Sequence, residues 1–269
     1  MMQREKRRKF ATSRGSAQVF HRLRNVSFLL SALAVAPTSP RAADWYTGAA
    51  QPEVAGDEWI VAVDASATVT TNSSAFGTIT ATIAPVGNLL NDGLRVRLQG
   101  VAGTYSYPGA AVRQTVNGVQ QEGTVLLGYE WIWQQAALAG YIGMNVRSNE
   151  LSILDPGNPV VGTGLGVKVA ADLYVNPTEN TLFSANASYS TLFNAYYARF
   201  RTGVAVVPGV FVGPEATLLG DEFFNGWRAG GHITGFAIGP MKFSLGAGYA
   251  FDRIRKGGYY TSVDGRIAF

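Results

Sequence analysis

The sequence predicts an all-β protein: a closed, antiparallel, up-and-down transmembrane β-barrel of about 12 strands. Three observations carry this expectation. Segments of 10 to 15 residues alternate apolar and polar side chains with period two. The joints between them are alternately tight and long. No run of about 20 apolar residues, and no long stripe of period 3.6, offers a helical alternative.

The first element in the chain is not a strand. Residues 1 to 25 carry Arg4, Lys6, Arg7, Arg8, Lys9, Arg14, Arg22 and Arg24 against Glu5 alone. An eleven-residue apolar run, VSFLLSALAVA (26 to 36), follows and is too short to span a bilayer. PTSPRAA then leads to Asp44, which is the layout of a secretory signal peptide with cleavage expected near Ala43. Removal of residues 1 to 43 takes nine of the 22 Lys and Arg and one of the 18 Asp and Glu, leaving 13 against 17, net −4. The basic balance of the whole chain thus belongs to export, and nucleic acid is not an expected partner. The absence of cysteine excludes a disulfide framework and thiolate metal ligands. Residues 44 to 57 are expected to be a periplasmic segment and 58 to 269 the barrel.

Twelve strands are predicted in order: 58 to 70, 76 to 85, 93 to 107, 119 to 133, 135 to 148, 162 to 176, 179 to 191, 194 to 207, 210 to 220, 226 to 237, 240 to 252 and 258 to 269. Tight joints fall at WQQA (133 to 136), NPTE (176 to 179), VPG (207 to 209) and IGP (238 to 240). Longer ones fall at 107 to 120, 148 to 162, 218 to 227 and 252 to 260. Short turns at one end and long loops at the other are the asymmetry of outer-membrane barrels, whose short turns are periplasmic. PVGNLLND is long for its turn and TLFN short for its loop.

The faces separate a lipid barrel from a soluble one. Leu165, Val167, Val169, Ala171, Leu173 and Val175 share one face of the sixth strand, opposite Gly166, Lys168, Ala170, Asp172 and Tyr174. In the eleventh, Met241, Phe243, Leu245, Ala247, Tyr249 and Phe251 oppose Lys242, Ser244, Gly246, Gly248 and Asp252. An apolar face toward lipid, with small and charged residues filling the lumen, accounts for both. The last segment, YYTSVDGRIAF, alternates to the end. In hydrocarbon it must zip to the first strand, and terminal Phe269 is expected to serve as a barrel-assembly signal.

This projection places Asp64, Arg95, Arg97, Glu130, Arg147, Lys168, Asp172, Arg199, Arg201, Glu215, Arg228, His232, Lys242, Asp252, Asp264 and Arg266 in the lumen. They form either the wall of a polar pore or a lattice of paired charges that fills it. Tyr105, Tyr174 and Tyr197 are candidates for stacking on a glycan. Aromatic pairs near strand ends, including Trp45 and Tyr46, Tyr129 with Trp131 and Trp133, Tyr196 with Tyr197, Phe223 with Phe224 and Trp227, and Tyr259 with Tyr260, read as interfacial girdles. Of the two histidines, His21 leaves with the signal. His232 and Thr234 in GGHITG distantly resemble the His-x-Ser of membrane lipid A deacylases, but with threonine for serine and on the charged face. No catalytic residue, cofactor or metal site is therefore expected.

Several strings also carry a family likeness: DWYTG (44 to 48), TYSY (104 to 107), GYEW (128 to 131), DPGNPVVGTGLGVK (155 to 168), DLYVNPTEN (172 to 180), NAYYARF (194 to 200), FVGPE (211 to 215) and LLGDEFFNGWRAGGHITG (218 to 235). In their order they resemble the cellulose biosynthesis protein BcsS family across the mature chain. The resemblance implies a non-enzymatic protein of the bacterial outer membrane that accompanies cellulose or other exopolysaccharide secretion, as a passive pore or a scaffold. Its partners would be outer-membrane lipid, the polysaccharide and other secretion components. A lipid or glycan hydrolase on a barrel scaffold is the alternative.

Overall fold

The computed structural model describes residues 60–269 and the backbone of one short antiparallel pair, Ala43–Asp44 with Ala49–Ala50. The expected signal peptide, its cleavage site, the rest of the segment 44–57 and the pair Trp45 and Tyr46 lie outside the described residues.

Twelve barrel strands follow in sequence: β1 (Val61–Thr70), β2 (Ser74–Ile83), β3 (Gly93–Gly109), β4 (Gln114–Trp133), β5 (Ala136–Leu151), β6 (Gly162–Thr178), β7 (Thr181–Ser190), β8 (Tyr196–Val207), β9 (Val210–Gly220), β10 (Asn225–Ile238), β11 (Met241–Asp252) and β12 (Lys256–Ala268). Each is antiparallel to its sequence neighbours, and β12 pairs with β1 to close the sheet. At the seam Ala268 lies opposite Ala62 and Tyr260 opposite Thr70. Phe269 donates its N–H to the Val61 carbonyl at 2.8 Å, and its own carbonyl accepts from Ile60 at 2.7 Å and Val61 at 3.2 Å. Among the described residues, the barrel thus has no first or last strand left unpaired along its length.

Period-two alternation sets what each wall presents. Leu165 and Ile142 are each 60% exposed on the outer wall, while inward neighbours such as Asp172 and Tyr141 are buried. The arrangement inverts that of a soluble protein, with carbon outside and charge inside. Aromatic rings ring the outer wall at both ends. Tyr129 and Trp131 lie 5.0 Å apart toward one end, and Trp227 lies 5.7 Å from both Tyr249 and Phe251 toward the other. Gly235, with φ +93°, sits in the register shift between Thr234 and Phe236, and this bulge turns Phe236 toward Phe243 on the outside.

The two ends differ, but less simply than the sequence suggests. At one end, four joints shrink to two residues (134–135, 179–180, 208–209 and 239–240) while 84–92 is long. At the other, three of the predicted loops are mostly strand. The stretch read as a loop over 107 to 120 is a hairpin whose turn is only 110–113, and the loops near 218 to 227 and 252 to 260 reduce to 221–224 and 253–255. Only 152–161 remains a loop of substance. Pro108 and the Asn117-Gly118 pair are turn signals in sequence, and both have other duties here. Pro108 lies beyond Tyr105, where the pairing of β3 with β2 ends, so its missing N–H falls on a strand with one neighbour. Gly118 lies under the ring of Tyr105. The joint 191–195, short as expected, contains a single 3-10 turn at Leu192–Asn194.

Candidate functional site in the barrel lumen

Most of the charged residues assigned to the lumen from sequence are buried, and most of them are tied to one another. Toward the two-residue turns, Arg95 is fully buried and donates from Nε to Glu130 at 2.6 Å and from a terminal nitrogen to the Asn91 carbonyl at 2.6 Å. That carbonyl comes from the long joint 84–92, whose Leu89 packs with Ala62 and Ala84. The length of this joint thus serves to fill the barrel end. Arg97 reaches Asp172 at 2.7 Å and lies 3.8 Å from the ring centre of Tyr141. Arg266 pairs with Asp64 across the seam at 3.4 Å.

At mid-lumen, two arginines on β8 share two carboxylates from other strands. Arg199 contacts Glu215 at 2.9 Å and Asp264 at 3.1 Å, and Arg201 contacts the same pair at 2.8 and 2.7 Å. Tyr260 adds a hydrogen bond to Glu215 at 2.7 Å. Three strands separate β8 from β12, so the bonds to Asp264 cross the lumen, whereas Glu215 lies on the adjacent strand β9, directly opposite Arg201. A second cluster gathers on Glu122, which accepts from Arg147 and Lys168 at 2.7 Å each. Lys168 reaches on to Gln99 of β3 at 3.1 Å. Forks of guanidinium on carboxylate are the geometry that repays part of the desolvation of buried charge.

The remaining assigned residues do other work. Arg228 stands 5.8 Å from the ring centre of Tyr260. Lys242 is half-buried and lies in register with Arg266. Asp252 accepts from Asn72 at 2.6 Å and from the N–H groups of Ile254 and Arg255, which shapes the β11–β12 loop.

His232 is 3% exposed, with Nδ1 2.8 Å from the Thr234 hydroxyl and Nε2 3.1 Å from the Thr202 carbonyl. A carbonyl can only accept, so Nε2 carries the proton and Nδ1 accepts from threonine. Both nitrogens are spent on the wall. Replacing His232 with Ala is accordingly expected to leave lipid and polysaccharide profiles of the cell unchanged, and an altered profile would revive the hydrolase reading.

A cavity of about 380 Å³ opens among these clusters, with Glu122, Arg147, Lys168 and Arg199 in its wall, and extends toward the loop end. Asp64, Arg97, Asp172 and Arg201 form its lower boundary. Below them inward side chains on many strands are buried, among them Thr82, Tyr174, Leu182, Phe211, Thr234 and Ser244. Tyr174, expected to stack on a glycan, is one of these. It is 1% exposed, packed with Ala137, Leu182 and Phe211, and does not line the cavity. Tyr197 does line it, as does Tyr105.

Tyr105 belongs to a row of aromatic rings drawn from three segments of the chain. Phe76 and Tyr105 lie 6.5 Å apart at 10° between planes, Tyr105 and Tyr107 lie 6.3 Å apart at 16°, and Tyr107 meets Phe223 at 4.8 Å. Phe223, read as part of an outer girdle, therefore belongs to the lumen mouth. The same correction applies to Tyr260, whose hydroxyl is committed to Glu215. The signal available in sequence was a lone phenylalanine on the polar face of β2, between Ser74 and Thr78. Its partners sit on other strands, and only register brings them together.

Three loop segments surround the mouth. Asp155 and Asn158 of 152–161 are buried and bracket the Tyr107 hydroxyl, each at 3.0 Å. Asp221 accepts from the N–H groups of Phe223 and Phe224 at 3.0 and 2.8 Å, which fixes the 221–224 turn. Burial raises the Asp221 pKa above its ordinary value, and those two donors with Arg147 oppose the rise. Arg255 donates to the Ser106 carbonyl at 2.9 Å and its hydroxyl at 2.8 Å, tying the β11–β12 loop to β3. Among the described residues no cluster of histidine and carboxylates could hold a metal ion.

Similar solved structures are barrels. A KdgM porin shares 8% identity, covering 77% of this chain and 99% of its own, with a TM-score of 0.42. The β domain of the Bordetella autotransporter BrkA shares 13% identity over 79% of this chain and all of its own, at 0.44. The translocator domain of autotransporter NalP from Neisseria meningitidis shares 12%, over 78% and 88%, at 0.44. A comparison with characterised protein sequences gave no match. The family model of cellulose biosynthesis protein BcsS matches residues 68–269, from within β1 to the last residue. The chain belongs to the cellulose biosynthesis protein BcsS family.

Proposed function

We propose that this protein is a non-catalytic outer-membrane accessory of bacterial cellulose synthesis and secretion, acting as a closed, ligand-holding scaffold and not as a continuous passive pore. Family membership supports the cellulose context. The apolar outer wall between two aromatic belts supports residence in a bilayer, with the two-residue turns toward the periplasm and the cavity toward the exterior. The observation that carries the choice of scaffold over pore is the lower boundary of the cavity, beneath which the inward side chains are buried. A hydrated polymer could pass only if the ion pairs of Arg97 with Asp172 and of Arg199 and Arg201 with Asp264 parted, and both carboxylates are buried.

Planar-bilayer recording tests this directly. The purified barrel is expected to show no steady unitary conductance, and a reproducible open channel of porin type would overturn the closed reading. Deleting the gene is expected to lower cell-associated or secreted cellulose. Normal cellulose in the deletion strain would remove the accessory role whatever the conductance.

A further inference from the structure

We propose that Phe76 and Tyr105 form a stacking platform for the flat face of a β-1,4-linked glucan, and that Phe223 occupies the continuation of that platform over Tyr107. The proposal deepens the accessory reading above and rests on it for the choice of glucan. Three features of the wall point to a ligand face and not to core packing.

First, the rings lie against the wall. A Cβ added to Gly103 would stand 2.1 Å from the nearest carbon of Phe76, and one added to Gly118 would stand 2.3 Å from that of Tyr105. Each ring thus covers a position on the next strand where only glycine leaves room, and turns its other face to the cavity. Second, the rings are nearly parallel, at 10° and 16° between planes, with centres 6.5 and 6.3 Å apart. Rings that pack to fill a core meet tilted or edge-on as often as flat, whereas a row of parallel faces matches a flat, extended substrate. Phe76 and Tyr105 are half-buried within the cavity, while Tyr107 is 4% exposed beneath Phe223. Third, the borders of the platform are neutral and polar. Thr68 lies directly opposite Phe76 and Gln120 directly opposite Gly103, and both line the cavity.

A β-linked glucopyranose carries its hydroxyls around the ring equator and C–H bonds on its two faces. Apolar faces would meet Phe76 and Tyr105, and equatorial hydroxyls would meet Thr68 and Gln120. Alternate sugars of a β-1,4 chain stay in one ribbon, so successive rings can meet successive aromatics, whereas an α-1,4 chain coils away from a flat surface. Phe223 stands where the next sugar would lie. Its turn is held by Asp221, which accepts from the N–H groups of Phe223 and Phe224, and by Arg253, which donates to the Phe223 carbonyl at 3.1 Å.

The test uses the full-length protein in lipid nanodiscs, titrated with cellohexaose and, separately, maltohexaose, with heat or tyrosine fluorescence as readout. Wild type is expected to bind cellohexaose and to bind maltohexaose at least tenfold more weakly. Phe76→Ala and Tyr105→Ala are each expected to weaken cellohexaose binding about tenfold, and Tyr105→Phe to retain it. Gly118→Ala keeps the tyrosine but lifts its ring, and is expected to weaken binding as Tyr105→Ala does. Phe223→Ala is expected to tighten binding severalfold by freeing Tyr107. Unchanged affinity in both Phe76→Ala and Tyr105→Ala overturns the platform, and equal binding of the two oligosaccharides overturns the choice of β-linkage. A wild type that binds neither, together with lowered cellulose in the deletion strain, removes the platform and leaves the accessory role standing. Normal cellulose with binding intact does the reverse.

Discussion

Asp264→Ala is expected to lower the stability of the barrel by about 3–5 kcal/mol, the range for removing one partner from a buried charge pair. Asp264 is 1% exposed and takes hydrogen bonds from both Arg199 and Arg201. Without it, the two guanidinium groups keep Glu215, and the ionic link from β8 to β12 is lost, leaving the Arg199 hydrogen bond to Ser262 at 3.1 Å. Cross-lumen links of this kind hold opposite walls at fixed separation, which neighbouring-strand hydrogen bonds do not. The cost thus comes from stranded charge and not from the pair's intrinsic strength. Replacing Arg199, Arg201, Glu215 and Asp264 together by apolar residues of similar volume is therefore expected to leave stability near that of wild type or above it. Thermal unfolding in detergent, followed by loss of β-sheet circular dichroism, reads both variants. If Asp264→Ala melts with wild type, the quartet is hydrated and the lumen at that level is open, which would also undercut the closed-barrel reading.

The barrel itself was legible in the sequence because its cause is local. Alternation along β6 or β11 fixes which side chains meet lipid, and that is readable from any one strand without knowing its neighbours. The strand count and most boundaries followed from where alternation broke. What local reading missed arises from neighbours. Gly118 looks like half of a turn until β3 is laid beside β4 in register, when it becomes the floor beneath Tyr105. Tyr174 looks like Tyr105, since both sit on a polar face. Its depth in the barrel, set by the offset between β6 and β7, buries it instead. Phe223 looked like an interfacial aromatic because it neighbours Trp227, yet the 221–224 turn folds it over the mouth. Charges could be assigned to the lumen from sequence, but their partners could not. Arg199 and Asp264 lie 65 residues apart and meet only through closure.

Deletion of Phe269 is expected to impair folding and membrane insertion ahead of any effect on ligand binding. Its backbone makes three hydrogen bonds to Ile60 and Val61 just beyond the last paired residues of the seam. Each such bond contributes about 1 kcal/mol, and groups left unpaired near hydrocarbon cost more, so the loss amounts to about 3 kcal/mol or above. Among the barrel pairings, the seam alone joins the first strand to the last, so it has the largest loop to close and the least local help. Phe269→Ala separates two causes that deletion merges. It keeps the backbone bonds and removes only a ring that is 60% exposed on the outer wall. If closure is what matters, Phe269→Ala should insert far better than the deletion. If the ring is read by the cell's assembly machinery, the two should fail alike in cells and differ only in refolding from urea into lipid vesicles, where no machinery is present. Heat-modifiable gel mobility reports the folded fraction in both settings. Normal insertion of the deletion variant in both would show that the β12–β1 seam closes without its last residue.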